Sequence, residues 1–162
     1  MQMKIDLEPI CTGRGDQLPV LQNLAGELLK GVEMIAAVDD LSYRLVANGT
    51  ASVGGQFRHN LDFVNNLLNG IKAGRIDYNN RERDRRIEED RDFAVGRFRL
   101  GIHRISSISS RQFSKSVLVR SEINQATWLP SSFIREAEFV HSHTVHHHEF
   151  SAIRTSYLPS IF

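Results

Sequence analysis

Val53-Gly54-Gly55-Gln56-Phe57-Arg58-His59-Asn60-Leu61-Asp62-Phe63-Val64-Asn65-Asn66-Leu67-Leu68-Asn69-Gly70-Ile71 is the stretch on which the fold turns. Its apolar residues, Val53, Phe57, Leu61, Val64, Leu67, Leu68 and Ile71, recur at three- and four-residue steps. That spacing places them on one face of a helix. Ser52 supplies an N-cap, and Gly70 and Gly74 mark the end. Gln56, His59 and Phe63 trace a row beside this stripe, so His59 faces a groove between helices.

Upstream, Leu18, Leu21, Leu24, Ala25, Leu28, Leu29, Val32, Ile35 and Ala36 repeat the helical period. They predict one helix, capped by Asp16, running to about Ala47 and ending at Asn48-Gly49. Downstream, residues 75 to 89 mix both signs of charge, which reads as a solvated connector rather than a phosphate-binding patch. Asp90 caps a third helix carrying Phe93, Ala94, Phe98, Ile102, Ile105 and Ile108, closed by the serines of 106–110. Ser116-Val117-Leu118-Val119-Arg120 and Ile123 to Trp128 are short and β-branched, and predict a hairpin or extended crossover. Pro130-Ser131-Ser132 starts the fourth helix, with Ile134, Ala137, Val140, Thr144, His147 and Ser151 in one row, and Pro159 ends the regular structure. The expected fold is all-α, a four-helix bundle with a short extended connection before the last helix, forming a single domain over 1–162.

Bulk properties narrow the partners. Twenty basic and nineteen acidic residues leave a net charge of +1, which predicts neither a nucleic-acid nor a membrane partner. The single cysteine, Cys11, builds no internal disulfide and reads as a reduced thiol rather than a nucleophile. No signal peptide or membrane-length apolar run is expected, so the chain reads as cytoplasmic. Arg14-Gly15-Asp16 and Asn48-Gly49-Thr50 are coincidental matches to extracellular motifs.

Seven histidines occur, five of them between positions 141 and 148. His143 and His147 stand four apart, so on a helix their imidazoles can share one cation. A third nitrogen would complete a face with coordination positions left open, as catalytic metal sites require. His59 and His103 are the two candidates for it. His141 and His148 fall on flanks expected to be wet, and His146 is a supporting or packing residue. Asp62, one turn after His59, is a candidate acceptor for a ligand histidine's second ring proton. Imidazole ligands do not choose among zinc, nickel, copper and iron.

Three segments carry a family resemblance: Val53 to Phe63; Arg75-Ile76-Asp77-Tyr78 with Arg81-Glu82-Arg83-Asp84; and Phe139-Val140-His141-Ser142-His143-Thr144-Val145-His146-His147. In this order they resemble the DinB-like family of metal-binding four-helix proteins. The resemblance implies an up-up-down-down bundle with a metal triad of His59, His143 and His147, nickel or zinc as the ion, and a homodimer. Some members of that family transfer low-molecular-weight thiols such as bacillithiol or mycothiol, and another group isomerises maleylpyruvate. The chemistry this implies here is metal-dependent thiol transfer to a small-molecule electrophile, with hydrolysis behind it, or a non-catalytic metal-binding module. It carries over no catalytic acid or base.

Overall fold

The computed structural model describes residues 18–46 and 49–157. Cys11, the Asp16 cap, Asn48 of the helix-ending pair and the Pro159 terminator lie outside the described residues. The fold is mostly helical, with a small three-stranded sheet.

The first helix, α1, spans Pro19–Ala37 and buries Leu21, Leu24, Leu28, Val32 and Ile35. It is shorter than its periodicity predicts. Val38 turns extended, and Asp39 caps a separate short helix, α2 (Asp40–Arg44), by accepting from the Ser42 amide at 2.9 Å. The interruption is held from outside the segment. Arg91 Nη1 donates to the carbonyl oxygens of Ile35 and Val38, while its Nε lies 2.6 Å from Asp40 Oδ1. A guanidinium thus satisfies carbonyls that the helix end leaves without partners.

The helix containing His59, α3, spans Val53–Ala73. Its caps are those the sequence announces. Ser52 Oγ accepts from the Gly55 amide at 3.0 Å, and Gly74 closes the helix at φ 70°, a left-handed conformation that glycine adopts without a Cβ clash. Gly70 lies inside the helix, not at its end.

The segment after α3 corrects the expectation of a solvated connector. Arg75–Ile76 forms strand β1, Tyr78 and Ile87 are buried, and Arg86–Glu89 forms a short helix, α4. Tyr78 Oη donates to Glu136 Oε2 at 3.1 Å, and Tyr43 Oη to the Ile87 carbonyl at 2.6 Å. Asp90 then caps α5 (Arg91–Ser106), its carboxylate accepting from the Phe93 amide at 2.9 Å. A short 3-10 turn follows at Ser110–Gln112.

Strands β2 (Ser116–Arg120) and β3 (Trp128–Ser132) form the expected hairpin, with Leu118 opposite Pro130. The second strand starts later than expected: Ile123 sits fully exposed in the connection, and Pro130-Ser131-Ser132 is strand rather than helix start. β3 pairs with β2 alone, so Pro130 occupies an edge strand, where a missing donor is tolerated. β1 adds to the other edge of β2 in parallel, Arg75 against Leu118. The all-α expectation is corrected by this sheet.

The last helix, α6, spans Phe133–Tyr157, and Ser132 Oγ accepts from the Arg135 amide at 3.3 Å at its start. α1 packs on α5 and α6, and α3 packs on the same two helices. Between them lie Leu24, Leu28, Phe57, Leu61, Phe98, Ile102, Ala137 and Val140. Phe57 meets Phe98 edge-on with centroids 5.7 Å apart, the arrangement aromatic quadrupoles favour. Among the described residues, no helix is long and apolar enough to cross a membrane.

Candidate metal centre

Packing α3 against α6 brings His59, His143 and His147 together. One ring nitrogen from each lies within 4.8 Å of the other two. The ring centroids are 5.1 Å apart for His59 and His143, 4.7 Å for His59 and His147, and 4.3 Å for His143 and His147. The i,i+4 spacing supplies the α6 pair, and the interface supplies the third ring. His103 is exposed on α5 and belongs to no such group among the described residues. His146 is exposed, with its ring 5.5 Å from that of His147.

Each imidazole is held differently. Gln56 Oε1, one turn before His59, lies 2.9 Å from His147 Nδ1. An amide oxygen only accepts, so His147 carries its proton on Nδ1 and presents the Nε2 lone pair. Arg81 Nη1 lies 2.8 Å from His59 Nδ1. A guanidinium only donates, so this nitrogen accepts and Nε2 carries the proton; His59 binds a cation only by giving up this hydrogen bond. Phe63 stacks on His143 with centroids 3.9 Å apart, and His143 Nδ1 is sealed from solvent with no hydrogen-bond partner among the described residues. A buried ring nitrogen without a partner is destabilising, and a cation at that atom would relieve it.

The electrostatics favour neutral ligands. Burial, reinforced by the His147 ring and Arg81, lowers His59 to a pKa of about 4. Burial, with His147 and His59 alongside, lowers His143 to about 3. His147 is lowered too, mainly by burial and then by His146 and His148. At neutral pH the three rings are unprotonated, the form in which imidazole binds a metal. Three nearby, neutral histidines, one of them with an orphaned buried nitrogen, can hold a metal ion.

Three readings of the sequence change here. Asp62 does not serve His59: its Oδ1 accepts from the Arg83 amide at 3.3 Å, its Oδ2 has no partner among the described residues, and burial raises its pKa. His148, expected on a wet flank, is only 6% exposed. It accepts from Asn60 Nδ2 at 3.3 Å on Nε2 and faces Glu27 Oε2 at 3.4 Å with Nδ1, while Thr144 Oγ1 donates to Asn60 Oδ1 at 3.0 Å. The buried row of α6 is Phe133, Ala137, Val140, Thr144, His148 and Ser151, with His147 beside it and Ile134 36% exposed.

Arg81 was missed because it sits in a charge run whose mixed signs read as solvated. Gln56 was visible, three residues before His59 on the same row, but its partner lies 91 residues away. Comparison with protein-family models, curated proteins and solved structures finds no match to this chain.

Proposed function

We propose that this protein is a metal-dependent enzyme in which His59, His143 and His147 hold a divalent ion, zinc or nickel, and a thiol is transferred to a small electrophile. The observation that carries the reading is the convergence of three half-buried imidazoles from two helices. On this reading α1, α3, α5 and α6 are the four helices of a DinB-like bundle, and the protein is a cytoplasmic homodimer acting on a small molecule. When bound, a divalent ion in a three-histidine site lowers the pKa of a thiol or water and so provides a nucleophile at neutral pH.

The chain's own residues supply the rest. Gln56 fixes the His147 tautomer, which orients its free nitrogen. Phe63 and Phe139 flank His143 with centroids 3.9 and 6.2 Å away. These apolar rings lower the local dielectric and strengthen electrostatic interactions within the site.

A second reading, a non-catalytic module, is favoured by one observation. The three histidines link α3 to α6, so an ion there would clamp two helices far apart in sequence. The deciding experiment is metal analysis by mass spectrometry of untagged protein beside His59→Ala and His143→Ala, followed by thiol-transfer assays. About one ion per chain, lost in both variants while helicity persists, supports the site. Turnover lost with the ion supports the enzyme; a chelator-sensitive melting temperature with no turnover supports the clamp. No ion after incubation with zinc or nickel overturns both.

A further inference from the structure

An open cleft of about 440 Å³ is lined by Asn66, Asn69, Arg75, Asp77, Arg81 and Glu82 among others. It shares Arg81 with the triad, since that guanidinium donates to His59 Nδ1. The charges of the cleft do not cancel internally. Asp77 Oδ2 is engaged by Arg120 Nη1 at 2.9 Å, and Glu82 Oε2 by Arg97 Nη2 at 3.5 Å. Both acids are thus neutralised by arginines outside the lining set.

The two lining arginines form no ion pair among the described residues, although Arg81 is near enough to Asp62 to act on that carboxyl electrostatically. Among the described residues Arg81 makes one hydrogen bond, to His59, rests 5.8 Å from the Phe63 centroid and has an unpartnered Nε. Arg75 lies 5.5 Å from the Trp128 ring and pairs with no carboxylate among the described residues. Two amides add donors. Asn66 Nδ2 is buried and has no partner among the described residues, and Asn69 Oδ1 is taken by Arg104 Nη2 at 2.7 Å, which leaves its amide nitrogen as the available end. Asn66 and Asn69 stand three apart on α3, so both can serve one ligand.

We propose that this cleft binds a small carboxylate, with Arg81 as its anchor and Arg75, Asn66 and Asn69 as further donors. A guanidinium offers the planar pair of N–H groups that a carboxylate accepts. Taken with the metal-centre reading, on which this step rests, the anchored carboxylate belongs to the substrate of the triad.

The test is calorimetric titration of the full-length chain, metal-free, with N-acetylglycine, its neutral amide N-acetylglycinamide, and inorganic phosphate. The acid should bind at least ~10-fold tighter than the amide, and Arg81→Gln should weaken it roughly 10- to 100-fold, the loss of a charge-assisted hydrogen-bonded pair. Arg75→Gln should weaken it less, with circular dichroism checking the fold of both variants. In His143→Ala the cleft is intact and acid binding should persist, so a failed metal reading leaves this proposal standing. Equal binding of acid and amide, tighter binding of phosphate, or an unchanged Kd in Arg81→Gln would overturn it.

Discussion

Gln56 Oε1 and His147 Nδ1 lie 2.9 Å apart across the packing of α3 on α6. The contact decides which nitrogen of His147 is free. Because the amide oxygen can only accept, the proton stays on Nδ1 and Nε2 keeps its lone pair. Gln56 is therefore a positioning residue for the candidate centre rather than a ligand.

Removing that acceptor should loosen metal binding without dismantling the fold. Gln56→Ala is expected to weaken zinc affinity by about 10- to 100-fold, the usual effect of losing a partner that orients a ligand histidine. Competition with a chromophoric chelator measures it. Gln56→Glu, which still accepts from Nδ1, should recover most of the affinity; unchanged affinity in both variants would remove Gln56 from the site.

Acidification should destabilise the metal-free protein in a defined window. His59 and His143 have folded-state pKa values of about 4 and about 3, below their ordinary value of 6.5. The unfolded chain therefore binds more protons below about pH 6.5, and stability falls as pH drops from there toward the folded values. His147 and His148 are shifted the same way. Urea midpoints should fall between pH 7 and pH 5, and a His59→Gln, His143→Gln double variant should show a shallower fall. An identical slope in both proteins would contradict the depressed pKa values.

The neighbouring histidines should separate stability from metal binding. His148 is buried between Asn60 and Glu27, so His148→Ala leaves a cavity and an unpaired Asn60 amide. The expected loss is about 2–4 kcal/mol in metal-free protein, with zinc still bound by the folded fraction. His147→Ala should do the reverse, abolishing metal binding with a smaller effect on the metal-free melting curve. Chemical denaturation and metal analysis on the same two variants distinguish these outcomes.

What the sequence determined by itself is local. The apolar stripes of α1 and α3, the caps at Ser52, Asp90 and Gly74, and the four-residue spacing of His143 and His147 all depend on groups a few positions apart. Such groups meet wherever the chain forms a helix. Only the tertiary structure decided the rest. The break after Ala37 depends on Arg91, more than fifty residues on. The choice of His59 over His103 depends on how α3 packs against α6. Whether His147 or His148 enters the core is a matter of one helical step from Thr144, since a 3.6-residue period allows either three or four. Arg81 reaches His59 because the segment after α3 folds back instead of extending into solvent. Each of these outcomes joins residues distant in sequence, and their meeting is set by side-chain packing that no local pattern encodes.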